Sequence, residues 1–335
     1  MVGKGGLPPL LSKSQLTCGS SGGKPPFPTT SLLHASRITH HASRFTFHVS
    51  RITFHAFTSM KRILTAIVAL PILLYAVWSR SPYFFVALTA IAIILALGEF
   101  YSLASQAGCK PQTVPGYAAA LVVIAGFVFE EPALTVAAVA ALSIVSVAAA
   151  IFQPDEMKKS LVSVSATVFG VTYVALLAGG LVGVRMIADT PLRPGAPHLA
   201  SKLLTMFFAI VMMTDTGAYY TGRTIGRHKL APRISPAKTI EGAIGGFVMA
   251  VVTGFLCKVG FFPEIPAAHA LALGATLGAL GQVGDLAESM LKRGSNVKDS
   301  GKLLPGHGGM LDRIDSMLFC APVLYYYSRL LTSSL

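Results

Sequence analysis

The stretch Ser289-Met-Leu-Lys-Arg-Gly-Ser-Asn-Val-Lys-Asp-Ser-Gly-Lys-Leu-Leu-Pro-Gly-His-Gly-Gly-Met-Leu-Asp-Arg-Ile-Asp315 lies between two apolar runs, 267–286 and 314–332. A membrane-crossing helix needs roughly 20 apolar residues, so the stretch reads as a polar loop joining two such helices. Its contents are ordered. Lys292, Arg293, Lys298, Lys302 and Arg313 are interleaved with Asp299, Asp312 and Asp315. That mixture suits a polyphosphate and its metal, because cations hold phosphate oxygens and carboxylates hold a hard divalent ion. Gly306, Gly308 and Gly309 remove side chains where backbone could approach a ligand. Asp312 and Asp315 are three apart, which places both on one face of a helix.

The rest of the chain agrees with a membrane setting. Hydrophobic residues make up 53% and charged residues only 12%, too apolar for an ordinary soluble domain. From Met60 onward nine apolar runs are legible: 63–79, 82–104, 116–129, 132–152, 161–184, 199–220, 242–262, 267–286 and 314–332. The third and fourth are joined through Glu130-Glu131-Pro132. The expectation is an all-α, polytopic membrane helical bundle of about nine transmembrane helices over 60–335, preceded by a disordered extension, 1–59. Within that extension residues 34–57 repeat every seven, from His34-Ala-Ser-Arg to His48-Val-Ser-Arg. The repeat lacks a coiled-coil seam and is too short for a solenoid. Cys18, Cys109, Cys257 and Cys320 form no Cys-x-x-Cys pair, so neither a disulfide framework nor a zinc site is expected.

Charge sorts the connections into two sets. Lys61-Arg62, Lys110, Lys158-Lys159, the 221–241 loop and the 287–313 loop fall on one side. Arg80, Glu130-Glu131, the 185–202 connection and Glu264 fall on the other. The first set is far richer in Lys and Arg and is expected to face the cytoplasm of a cell inner membrane. The net charge of +13 therefore reflects a membrane face and anionic substrates rather than nucleic acid.

A second polar constellation begins inside the sixth run: Thr214-Asp215-Thr216-Gly217-Ala218-Tyr219-Tyr220, then Gly222-Arg223 and Ser235-Pro236-Ala237-Lys238-Thr239-Ile240-Glu241-Gly242. Asp215 follows an apolar stretch, and a carboxylate at such depth is costly unless it is paired or lines a wet cavity. Gly242, Gly245 and Gly246 suit close helix packing. Asp285 and Glu288 close the eighth run, again on one helical face. Glu99 is expected at the cytoplasmic interface near Lys110, in a structural role.

Together these stretches resemble the CDP-diacylglycerol synthases, also called phosphatidate cytidylyltransferases. Their signature is met at Ser289, Lys292, Arg293, Lys298, Asp299, Pro305, His307, Gly308, Gly309, Asp312, Arg313 and Asp315. A second family run is met from Asp215 through Gly222, Arg223, Ser235, Pro236, Lys238, Thr239, Glu241 and Gly242, with Ala237 where the family often has a further Lys. The resemblance implies the reaction of CTP with phosphatidate to give CDP-diacylglycerol and pyrophosphate. It implies Mg²⁺ on Asp285, Asp312 and Asp315, a site that can also take K⁺, and a possible homodimer. Catalytic candidates are Asp285, Asp312, Asp315, Lys292 and Arg293; substrate-binding candidates are Asp215, Arg223, Ser235, Lys238, Lys298, His307, Gly308, Gly309 and Arg313. For His307, phosphate contact or loop ordering is favoured over general base, since transfer to an ionised phosphate needs no strong base. Asp299 is expected to pair with Lys298. Two alternatives are a CTP-dependent lipid-alcohol kinase of the same superfamily and an ion-coupled secondary transporter. A transporter is expected to carry internal repeats, and none is legible after residue 59.

Overall fold

Long apolar runs become helices because a helix satisfies its own backbone hydrogen bonds in a medium that offers none. The computed structural model describes residues 67–152, 157–187, 198–301 and 308–333. Expectations about residues 1–59 and about His307 lie outside these described residues. Each of the nine predicted runs carries a helix. They are α1 (Ile67–Trp78), α2 (Tyr83–Gln106), α3 (Thr113–Val128) and α4 (Pro132–Ile151), followed by a rod made of α5 (Met157–Gly170), a π-helical segment (Val171–Leu176) and α6 (Leu177–Ile187). The chain continues with α7 (Leu199–Ile225), α8 (Ile240–Gly260), α9 (Ala267–Gly294) and α10 (Leu311–Ser333).

Six of these are long and apolar enough to cross a membrane: α2, α4, the rod between Lys159 and Met186, α7, α8 and α9. Helices α1 and α3 are shorter apolar helices. The all-helical expectation needs one amendment. The 221–241 connection contains an antiparallel hairpin of β1 (Lys229–Ala231) and β2 (Ser235–Thr239), with Lys229 opposite Thr239 and Ala231 opposite Ser235. Helix α9 also outruns its apolar stretch, reaching Gly294. The i,i+4 pair of Glu288 and Lys292 supports that extra length.

The core has two parts. One gathers α7, α8 and α9 about Phe207, Ile210, Ala250 and Leu277. The other gathers α2, α3 and the π-helical segment about Leu97, Val123 and Val174. Helix α10 belongs to both, through Ala321 and Leu324 in the first and Leu311 and Leu318 in the second. Glycines allow close approach at two decisive contacts. A Cβ at Gly246 would strike the Thr214 carbonyl on α7, and one at Gly180 would strike the α10 backbone at Ala321 and Pro322. Gly242, Gly245 and Gly246 thus serve close α7–α8 packing, as expected.

The long-range polar contacts keep the two predicted sets of connections apart. Arg329 pairs with Glu130 at 2.9 Å, Lys202 with Glu264 at 2.5 Å, and Arg185 donates to the Ser79 carbonyl at 2.7 Å, all at one end of the helices. The contacts made by Lys238, Arg293 and Glu99 lie at the other end.

Candidate active site

The site is built where the C-terminal half of α9, the N-terminus of α10, the hairpin and α7 meet. On α9, Asp285, Glu288, Ser289 and Lys292 follow one another at helical spacing on one face. Ser289 Oγ approaches Asp285 Oδ1 at 3.5 Å. Lys292 Nζ stands 2.5 Å from Glu288 Oε2 and 2.7 Å from Asp312 Oδ1, so one ammonium joins α9 to α10. Glu288 is fully buried. Arg293 turns the other way, donating from Nε to the Ile234 carbonyl at 3.3 Å and so fastening the hairpin to α9.

The hairpin in turn brings Lys238 to Asp285, Nζ to Oδ2, at 2.5 Å. Its closure is local. Thr239 caps α8, accepting from the Gly242 N–H at 3.1 Å. Glu241 accepts the Arg227 N–H at 3.0 Å and lies 2.6 Å from His228 Nδ1. These contacts give Ser235-Pro236-x-Lys238-Thr239-x-Glu241-Gly242 a structural logic: Thr239 and Glu241 fold the turn that aims Lys238.

The three carboxylates Asp215, Asp285 and Asp315 come from α7, α9 and α10 and share one electrostatic field. Asp215 feels Asp285, Lys238 and Arg313, and Asp315 feels Asp285, Asp215 and Lys292. Gly284 makes this possible, since a Cβ there would strike the Asp315 carbonyl oxygen. Of the three, Asp285 is paired with a cation, Lys238; the pairing anticipated for Asp215 is not seen among the described residues, and its side chain is exposed.

The N-terminus of α10 is held by two carboxylates. Asp312 Oδ2 accepts the Gly309 N–H at 2.9 Å and the Ser300 N–H at 3.2 Å. Glu99, on α2, accepts from Ser300 Oγ at 2.8 Å, Met310 N at 2.9 Å and Leu311 N at 2.8 Å. Gly308 has φ +79°, a left-handed conformation that glycine adopts without strain.

Not every predicted residue joins the cluster. Arg223 is exposed and donates to the Tyr219 hydroxyl at 2.9 Å. Lys298 and Asp299 are both exposed, and the described residues contain no ion pair between them, contrary to expectation. Ser235 occupies the start of β2 opposite Ala231, away from the carboxylate that Lys238 reaches. Two residues that sequence reasoning passed over lie inside the cluster. One is Glu99, whose position in an apolar helix pointed to an interface role. The other is Tyr173, in the π-helical segment: its buried hydroxyl has no hydrogen-bond partner among the described residues, and Glu288 and Asp315 are nearby charges.

Among the described residues no three His, Cys, Asp or Glu side chains converge tightly enough to enclose a metal ion. Mg²⁺ does not need such an enclosure, because it keeps several waters and is held by one or two carboxylates together with substrate phosphates. Asp285 and Asp315, on the two helices of the close α9–α10 contact at Gly284, are hard oxygen donors of that kind.

Residues 60–331 match the cytidylyltransferase family. The chain belongs to that family. The chain is 48% identical over 126 residues to the phosphatidate cytidylyltransferase of Bacillus subtilis, a match covering 37% of this chain and 47% of that protein. With the phosphatidate cytidylyltransferase of Staphylococcus haemolyticus it is 35% identical over 265 residues, 78% of this chain and 96% of the relative. With that of Brucella suis it is 46% identical over 128 residues, 38% and 47% of the two chains. The chain thus spans about half the length of the first and last of these relatives and nearly all of the second.

Proposed function

We propose that this chain transfers the cytidylyl group of CTP to phosphatidate, giving CDP-diacylglycerol and pyrophosphate. The observation that carries the reading is the meeting of Lys238, Lys292, Asp285, Asp312 and Asp315 at one end of a bundle with six helices long and apolar enough to cross a membrane. Acyl chains remain among the helices' lipid neighbours, while the phosphate reaches the polar end.

In the reaction a phosphatidate oxygen attacks the α-phosphorus of CTP, the bond from that phosphorus to the bridging oxygen breaks, and pyrophosphate leaves. The attacking phosphate is already ionised, so positioning and charge neutralisation dominate. Lys292, Lys298 and Arg313 clamp phosphates, Arg313 with a fork suited to bidentate contact, and Arg293 holds the hairpin that carries Lys238. Lys238, Arg223, Asp215 and Ser235 organise the second substrate's side, and Gly308, Gly309 and His307 shape the loop against the phosphates. Asp285 and Asp315 would hold Mg²⁺ together with the substrate phosphates, with K⁺ beside it, while Asp312 fixes Lys292. The ion supplies charge neutralisation at the phosphates and the leaving group.

The same reading takes all nine helical rods as transmembrane, with this end in the cytoplasm of an inner membrane and the chain assembling as a homodimer. What supports the sidedness is the excess of Lys and Arg in the connections at the polar end. The test uses purified protein in detergent with phosphatidate, Mg²⁺ and CTP labelled either on cytosine or on the γ-phosphate. Cytosine label entering the lipid, and failing to do so with Asp285→Asn, is the expected result. Transfer of γ-label to a lipid would replace the reading with a kinase.

A further inference from the structure

We infer that Glu99 is a positioning residue for the transfer, holding the segment before α10 so that Asp312 and Asp315 are presented in register. This rests on the function proposed above. The evidence is a long-range cap. The first N–H groups of a helix have no partner within it and are usually met by a nearby side chain. Here Gly309 and Met310 supply none. Instead the Met310 and Leu311 N–H groups donate to Glu99 on α2, at 2.9 and 2.8 Å. A carboxylate at this end also meets the positive pole of the helix dipole.

Glu99 and Asp312 divide the work. Asp312 takes the Gly309 N–H, and Glu99 takes the next two. Ser300 is bound to both, giving its N–H to Asp312 at 3.2 Å and its hydroxyl to Glu99 at 2.8 Å. The orientation of Asp312 therefore depends on backbone that Glu99 holds. Two glycines are fitted to this carboxylate. The three atoms nearest a Cβ at Gly301 would all belong to Glu99, and a Cβ at Gly309 would strike Ser300 Oγ and Glu99 Oε2. The second glycine of His307-Gly308-Gly309 thus makes room for a residue on a distant helix. A mere structural tie between α2 and α10 would explain the hydrogen bonds. It would not tie the glycine requirement and the carboxylate register to the same side chain.

The test compares kcat, KM for CTP and the Mg²⁺ concentration for half-maximal rate in full-length wild type, Glu99→Gln, Ser300→Ala, Gly301→Ala and the double variant Glu99→Asp/Gly301→Ala. Misplacing reacting groups by about 1 Å can cost about 10²-fold, so Glu99→Gln is expected to lose kcat on that scale with KM for CTP little changed. Ser300→Ala should fall in the same direction by less. Gly301→Ala should be impaired and the double variant better than it, because the shorter Asp side chain withdraws from the new Cβ. Wild-type kcat in Glu99→Gln, or a double variant no better than Gly301→Ala, would overturn the inference. If Glu99→Gln does not fold, Ser300→Ala and the rescue decide alone. Asp315→Asn runs beside them. If it keeps wild-type transfer, the carboxylate chemistry itself fails; if it is inactive while Glu99→Gln is normal, only the positioning role fails.

Discussion

Lys238 on the hairpin and Asp285 on α9 meet at 2.5 Å with about a quarter to a third of each side chain open to solvent (26% and 32%). A pair that exposed contributes little to stability, typically below about 1 kcal/mol. Its effect is to fix where a positive charge stands relative to a carboxylate.

Lys238→Met is accordingly expected to leave the thermal midpoint nearly unchanged, within the effect of about 1 kcal/mol. Cytidylyl transfer should fall by about 10²-fold, the usual cost of removing one donor aimed at developing charge. Thermal unfolding in detergent beside an initial-rate assay separates the two effects. A large loss of stability with intact specific activity would contradict the assignment.

Lys292 presents the opposite case. Its partner Glu288 is fully buried, and Asp312 is 8% exposed. Removing the cation leaves two carboxylates facing each other without compensation, and breaking a buried pair costs about 3–5 kcal/mol. Lys292→Met should therefore lower both stability and transfer, whereas Lys292→Arg should recover stability more fully than rate. Unfolding midpoints of the two variants measure this directly.

Asp285→Asn and Asp315→Asn should each raise the Mg²⁺ concentration needed for half-maximal transfer. Even outer-shell changes at metal sites cost about 10–100-fold in affinity, so a shift of at least about 10-fold is expected. An unchanged Mg²⁺ dependence with a lowered rate would move the ion elsewhere.

The α7–α8 contact predicts a contrast between two glycines on one helix. Gly246→Leu would drive a side chain into Thr214 and Ala218, while a Cβ at Gly260 meets nothing within 4 Å. Overpacking of a close contact costs about 1–3 kcal/mol. Gly246→Leu should thus lose folded yield and Gly260→Ala should not, as read by monodisperse protein recovered from detergent.

At the far end of the bundle, the Lys202 ammonium holds the Glu264 carboxyl below its ordinary value of 4.5. A depressed carboxyl stabilises the folded state fully above its unfolded pKa, and the benefit is lost as pH falls through the lower folded value. Glu264 is largely solvated, so the effect is small and screened by salt. The stability difference between wild type and Glu264→Gln should be present at pH 7 in low salt and vanish at strongly acid pH. A difference that grows on acidification would reverse the sign.

Periodicity made the helices readable, because a run such as 242–262 admits little else in a bilayer. The motif residues on α9 and α10 were equally plain, since Lys292, Asp312 and Asp315 are polar where apolar residues are the rule. What stayed hidden was partnership. Glu99 lies in an otherwise apolar helix, and nothing local distinguishes a capping carboxylate from an interfacial one when its targets stand more than 200 residues away. The hairpin was missed for a different reason. Ser235-Pro236-Ala237-Lys238-Thr239 has no alternating apolar pattern, and its shape is set by Glu241 and Thr239 closing the turn.

The π-helical segment Val171–Leu176 works as a phase adjuster within a single rod. Each α-helical residue advances the helix by about 100° and about 1.5 Å, so a wider turn resets the rotation of everything beyond it. Within it, Tyr173 lies near Glu288 and Asp315. Beyond it, Gly180 must meet the α10 backbone and Arg185 must reach Ser79. Deleting one residue from the segment would turn it into ordinary α-helix and swing the second half of the rod out of alignment with the first. The two ends of the molecule, one facing phosphates and one facing away from them, are thus kept in step by a local irregularity in the winding of one helix.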